Sequence, residues 1–134
     1  MKRPLTSKPK MSSLEMALSC VREADDRKAM DLVLLDVSQL TSFADYFIIC
    51  SGRSSRQVQG IADAVRSKLR DLGVRPYGVE GEREGQWVLL DYGDVIMHIF
   101  YEPVRAFYDL ESLWSDAKVI PLEAHRGLGP DEPG

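Results

Sequence analysis

The chain has 134 residues, of which 44% are hydrophobic and 28% are charged, and its net charge is −4. This composition fits one soluble globular domain with its own core and excludes a mainly disordered chain. Proteins that wrap nucleic acid are usually basic, so the charge favours a basic protein as the partner.

Features outside the core elements limit the class of protein further. Cys20 and Cys50 show neither CxxC nor Cys/His zinc spacing, which predicts buried reduced thiols without a disulfide or metal. No apolar run approaches the roughly 20 residues of a membrane span. Residues 1–12 are basic and contain Pro4 and Pro9, which predicts a flexible arm. We expect a cytoplasmic protein, with organelle targeting left open by this arm.

The first half of the chain predicts two helices around two strands. Ser12 and Glu15 have capping-box spacing, so a helix is expected over residues 13–28. Residues 31–37 and 45–51 are short apolar runs typical of interior strands, joined by a turn or a brief helical crossing. Residues 53–73 form the strongest helical pattern, with apolar side chains three and four positions apart and Gly73 as the stop.

The second half predicts three strands and a last helix. Strands are expected at 74–80 and twice within 86–100, with a turn at 81–85. A helix should begin at Pro103, with Phe107, Leu110 and Trp114 as its apolar stripe. The prediction is therefore an α/β domain over 13–120, built on a five-stranded mixed sheet, with a loose tail over 121–134.

The segment 86–100 holds acids and rings within an apolar run and predicts a hairpin. With Tyr92 and Gly93 as the two loop residues, the opposed pairs are Asp91 and Asp94, Leu89 and Ile96, and Trp87 and His98. Alternation then separates an aliphatic face from a mixed face. The aliphatic face suits the two first helices, and the mixed face carries Trp87, Leu89, Asp91, Asp94, Ile96, His98 and Phe100.

The mixed face is a candidate for protein binding. Trp, Tyr, His and Arg anchor interfaces because they combine buried area with a polar end, and Tyr101, Arg105 and Tyr108 follow immediately. The alternative is that Trp87 and Phe100 are core residues under the last helix.

Catalytic interpretations of the same residues are weaker. Asp91 and Asp94 suit a tight turn, and a lone His98 on an apolar strand is usually a packing residue. The loop "SGRSSR" at 51–56 lacks phosphate-loop spacing, so helix capping explains it better. Glu80 and Glu82 lack a third convergent carboxylate, and the arginines of the second helix leave an RNA-binding surface open.

Three segments in this order carry a family resemblance. "ADYFIICSGRSSRQVQGIADAV", "GVEGEREGQWVLLDYGDVIMHIF" and "RAFYDLESLWSDA" strongly resemble the ribosomal silencing factor (RsfS, Iojap-like) family. The resemblance runs from the first helix to about Ala117. It implies a nucleotidyltransferase-like fold without catalytic residues, since Ser51 and Gly52 reverse the order that those enzymes use and no Asp-x-Asp follows the second helix.

The resemblance also implies a function without an enzyme activity or a cofactor. Members bind the large ribosomal subunit through ribosomal protein uL14 and block joining of the small subunit, which reduces translation when nutrients are short. The family surface maps onto Trp87, with His98, Tyr101, Arg105 and Tyr108 beside it, and Glu80, Asp91 and Asp94 form an acidic rim. Contact with ribosomal RNA and a homodimer of the free protein remain open. The alternatives are an RNA-binding assembly factor and a nucleotidyltransferase-like enzyme using Glu80, Glu82 or Asp91.

Overall fold

A computed structural model describes residues 11–123, so most of the predicted arm and most of the predicted tail lie outside the described residues. The helices are α1 Ser13–Asp26, α2 Ser55–Asp71, α3 Glu102–Tyr108 and α4 Leu110–Leu113. The strands are β1 Met30–Asp36, β2 Tyr46–Gly52, β3 Gly78–Glu80, β4 Trp87–Asp91, β5 Val95–Tyr101 and β6 Lys118–Ile120. None of the helices within 11–123 has the length and apolarity to cross a bilayer.

The strands form one mixed sheet with six members, in the order β3-β4-β5-β2-β1-β6. The prediction of five strands was wrong because β6 was missed: Val119 of this three-residue strand lies opposite Leu35 of β1. The strand expected over 74–80 is also shorter, since β3 contains three residues. The β2 and β5 strands are parallel, and the other neighbours are antiparallel.

The two long helices cover one face of this sheet, as the aliphatic pattern predicts. Ser12 and Glu15 form the expected capping box at the start of α1, and Ser54 caps α2. Both helices bury small and branched side chains against the aliphatic side of the hairpin, which consists of Val88, Leu90, Val95, Met97 and Ile99. Cys20 and Cys50 lie in this core, and burial raises the pKa of each thiol to about 12.

The hairpin register differs from the prediction by two residues. Trp87 lies opposite Phe100, Leu89 opposite His98, and Asp91 opposite Ile96. The loop residues are Gly93 and Asp94, because Tyr92 N–H donates to the carbonyl oxygen of Val95. Gly93 has φ +85°, the sign that a type II′ turn requires at its first loop position. A shift of two residues keeps each side chain on its predicted face.

The last predicted helix is two short helices. Asp109 adopts a left-handed conformation, with φ 49°, and separates α3 from α4. The apolar stripe is therefore interrupted: Leu110 and Trp114 pack against the sheet, but Phe107 is 80% exposed. The prediction that Phe107 belongs to the stripe was wrong, because the break turns the two helices independently.

Candidate functional site

Among residues 11–123, the second face of the sheet is only partly covered by other elements of the fold. Both α3 and α4 pack across it, yet neither helix contains a fully buried residue. Beside them an apolar area reaches solvent, which we call the open face; it consists of Trp87, Leu89 and Ile96 on the sheet and Phe107 and Tyr108 on α3. Exposed rings next to a partly exposed indole are typical of a protein-binding surface.

Trp87 stands at the centre of the aromatic part of the open face. Its ring centroid lies 4.8 Å from that of Phe100 and 4.9 Å from that of Tyr108. Next to it runs an apolar groove of about 510 Å³, lined mainly by Trp87, Tyr101, Val104, Phe107 and Tyr108. Tyr108 is 53% exposed, so its ring is accessible from the groove.

Two of the predicted contact residues form the floor of this face instead of its surface. Phe100 is completely buried and His98 is 6% exposed. His98 Nδ1 accepts a hydrogen bond of 3.1 Å from Trp87 Nε1–H. Burial lowers the pKa of His98 to about 4, so the imidazole is neutral at physiological pH. The structure therefore places both side chains beneath Trp87.

Arg105 holds α3 and α4 onto the sheet. Its guanidinium donates to the carbonyl oxygen of Asp31 and the hydroxyl of Ser51, each at 2.9 Å, and to the carboxylate of Glu111 at 2.6 Å. The Arg105 side chain is 11% exposed. These bonds satisfy the guanidinium internally, so Arg105 orients the wall of the groove.

Acidic side chains border the open face. Glu80 on the edge strand β3 is paired with Leu89 and lies on the same face of the sheet, and it is exposed. Asp94 is exposed in the hairpin turn, whereas the Asp91 carboxylate accepts the Gly93 N–H at 2.8 Å. Residues 86–123 contain two bases, Arg105 and Lys118, against the acids Asp91, Asp94, Glu102, Asp109, Glu111, Asp116 and Glu123. This part of the chain favours a basic partner.

Sequence reasoning missed several residues that shape the site. Val104 and Phe107 line the groove, although Phe107 was assigned to a core stripe. Phe43, 59% exposed, adds a further aromatic ring, with its centroid 6.2 Å from that of Trp114. A single exposed phenylalanine in a loop carries no periodic signal, so no pattern in the sequence could have identified Phe43.

Several of the residues considered for catalysis have other partners, whereas Glu80 is exposed. Glu82 forms an ion pair of 2.8 Å with Arg66. Ser54 caps α2, and the Ser51 hydroxyl accepts from Arg105. Within residues 11–123, no three His, Cys, Asp or Glu side chains come together to hold a metal ion. The side chains of Glu82, Ser51 and Ser54 thus serve ion pairing, hydrogen bonding to Arg105 and helix capping.

Comparison with known proteins identifies the family. Residues 10–132 match the family model described as ribosomal silencing factor during starvation, which covers nearly the whole chain, including most of the predicted tail. The chain belongs to the ribosomal silencing factor family. A ribosomal silencing factor from Halalkalibacterium halodurans is 40% identical over 113 residues, which cover 84% of this chain and 97% of the relative. One from Bacillus subtilis is 41% identical over 99 residues, or 74% and 84% of the two chains.

A solved structure shares the fold of this silencing-factor chain. The crystal structure of a Chromobacterium violaceum protein is 40% identical, with a TM-score of 0.77 over 78% of this chain and 88% of that one. The family resemblance of the sequence is thereby confirmed, together with a single-sheet α/β fold.

Proposed function

We propose that the open face binds the large ribosomal subunit through ribosomal protein uL14 and that the bound protein blocks joining of the small subunit. Translation is thereby repressed when nutrients are limiting. One observation carries the proposal: Trp87 and Tyr108 present accessible rings inside an acidic rim, on a sheet face that residues 11–123 leave partly uncovered. Membership of the silencing-factor family supports a ribosomal partner.

The surface residues of the proposal are fewer than those predicted from sequence. Trp87, Leu89 and Tyr108 contact the partner on the open face, Tyr101 contacts it from the adjoining groove, and Glu80, Asp91 and Asp94 supply the rim. His98, Phe100 and Arg105 act from beneath, because the first two are buried and the third is satisfied internally. A rim of this sign speeds association with a basic ribosomal protein and makes it sensitive to salt.

Blocking subunit joining requires occupancy and no reaction, so we infer a non-enzymatic role. The fold is then nucleotidyltransferase-like without the corresponding catalytic residues. Support comes from two of the three acids invoked for a metal, since Glu82 is paired with Arg66 and Asp91 accepts the Gly93 N–H. Calorimetry with Mg²⁺ and nucleoside triphosphates should give no binding heat, and a saturable heat would favour the enzyme.

The direct test is sedimentation of the purified protein with separated ribosomal subunits. We expect co-sedimentation with the large subunit alone and a smaller yield of joined ribosomes when small subunits are added. Tyr108→Ser changes an exposed ring and should weaken binding about tenfold or more without unfolding the chain. A pull-down with isolated uL14 then identifies the ribosomal protein that is contacted.

The matched control is Leu14→Ser on α1, an exposed apolar residue on the helix-covered side of the sheet. It should bind as the wild type does. Equal binding by Tyr108→Ser and wild type would exclude the open face, and co-sedimentation with the small subunit would exclude the mechanism. Binding to ribosomal RNA is measured at two salt concentrations for wild type and for Arg56→Ala on α2. If the wild type bound the RNA and Arg56→Ala did not, the RNA-binding alternative would replace the proposed function.

A further inference from the structure

The hydrogen bond between Trp87 and His98 links the surface of the open face to its floor. The indole Nε1–H lies 3.1 Å from His98 Nδ1. An imidazole accepts only at a nitrogen without a proton, so His98 carries its single proton on Nε2. The two residues are diagonal neighbours on adjacent strands, since His98 is opposite Leu89 and Trp87 is opposite Phe100.

This bond restricts how the indole can turn. The Trp87 ring already packs against Phe100 below it and Tyr108 beside it, with centroids 4.8 and 4.9 Å away. Apolar packing of this kind tolerates several rotations of a ring, whereas a hydrogen bond to one atom tolerates few. The His98 acceptor therefore selects one orientation of the side chain.

His98 is itself held from two sides. Its ring meets Phe47 edge to face, with centroids 5.4 Å apart, and stacks near Phe100 at 6.3 Å. Phe47 in turn packs edge to face on Trp114, 4.7 Å away. The acceptor is thus fixed by the core before any partner arrives, and an orientation set in advance lowers the entropic cost of binding.

We propose that His98 is a positioning residue for docking, which contacts no partner and holds the Trp87 indole in the orientation that the partner meets. The inference rests on the proposed function of the open face. It goes further by assigning the buried histidine a role that a packing residue of equal size could not fulfil.

Two substitutions distinguish the effect of the His98 acceptor atom from the effect of the volume that the His98 side chain occupies. His98→Leu has a similar volume but no acceptor, whereas His98→Asn places an amide oxygen near the position of Nδ1 and can restore the bond. Thermal unfolding establishes that each variant is folded. Indole N–H signals of ¹⁵N-labelled protein report the bond directly, and Trp114→Phe assigns the signal of Trp87.

We expect one indole N–H of the wild type to exchange slowly with solvent, to lose that protection in His98→Leu and to regain it in His98→Asn. Affinity for purified large subunits should fall about tenfold in His98→Leu, the worth of one ordinary hydrogen bond, and recover in His98→Asn. If His98 served only packing, His98→Leu would keep the wild-type affinity for large subunits, and His98→Asn would bind no more tightly than His98→Leu.

The outcomes distinguish this inference from the proposed function. If Tyr108→Ser loses affinity while His98→Leu binds as the wild type does, or keeps its protected indole signal, the positioning role is overturned and the docking face stands. If the wild type fails to bind large subunits, the proposed function fails and the docking role of His98 fails with it. The indole signals then still show whether the bond exists in the free protein.

Discussion

Trp87 lies directly opposite Phe100 in the β4–β5 ladder, so the ring that reaches solvent rests on a ring that is completely buried. The backbone beside Trp87 is equally constrained. Gly81, in the loop before β4, approaches the Trp87 carbonyl so closely that no side chain fits between them. The position of the indole therefore depends on the loop 81–86 as well as on the sheet.

Gly81→Ala should destabilise the protein by at least about 2 kcal/mol, because φ is +79° there and the new Cβ would collide with the Trp87 carbonyl oxygen. Gly60→Ala is the matched control: it lies inside α2 with open space around the site, and should stabilise by about 0.5–1 kcal/mol. Urea unfolding measures both changes. Similar effects of the two substitutions would show that the loop yields easily.

Arg105→Lys should lower the free energy of unfolding by about 2–3 kcal/mol although it keeps the charge, since an ammonium cannot reproduce the bonds to Asp31, Ser51 and Glu111. Binding to large subunits should weaken as well, because α3 carries Tyr108. Arg75→Lys, at an exposed position, should change neither quantity. Unaltered stability of Arg105→Lys would mean that packing alone holds α3 on the sheet.

The stability of the protein should fall in mild acid through His98. An unfolded histidine has a pKa of 6.5 and the folded one a pKa of about 4, so between these values the unfolded chain binds a proton that the folded chain excludes. The free energy of unfolding therefore decreases as the pH falls from 6.5 to 4, by about 3 kcal/mol in total. The free energy of unfolding of His98→Asn should decrease less between pH 6.5 and 4. An equal decrease in both proteins would assign the effect to other titratable groups.

Tyr92→Phe should leave the protein unchanged or stabilise it by up to about 1 kcal/mol. The Tyr92 hydroxyl is buried and has no hydrogen-bond partner among residues 11–123, and burial raises the pKa of the phenol. Removing an unsatisfied polar atom removes its desolvation cost. Tyr77→Phe, at a ring that is 80% exposed, provides the comparison. A clear loss of stability in Tyr92→Phe would reveal a bound water or another partner.

Neutralising the rim should slow association with the large subunit. The double variant Glu80→Gln, Asp94→Asn removes two exposed acids at the border of the open face, so the association rate should drop several-fold at low salt and depend less on salt. Asp63→Asn on the exposed side of α2 should change neither quantity. Stopped-flow mixing at two salt concentrations measures the association rates. If the double variant showed the same salt dependence as the wild type, the acidic rim would have no part in association.

Local patterns in the sequence were sufficient to assign side chains to faces. The two-residue period of a strand places Trp87 and His98 on one face in any β4–β5 register that differs from the predicted one by an even number of residues. The error of two residues in the predicted register therefore left both side chains on the predicted face. The helical period and the caps at Ser12 and Ser54 likewise determine which sides of α1 and α2 enter the core. These signals lie within a few residues of each other along the chain.

Tertiary structure decided which part of that face remains accessible. Whether Phe100 or Trp87 reaches solvent depends on where α3 lies, and α3 is held by Arg105 bonding to Asp31, which lies 74 positions away in the chain. The exposure of Phe107 follows from the left-handed residue at Asp109, and β6 exists only because β1 offers it an edge. Such contacts join distant segments, so no periodicity within one segment can encode them.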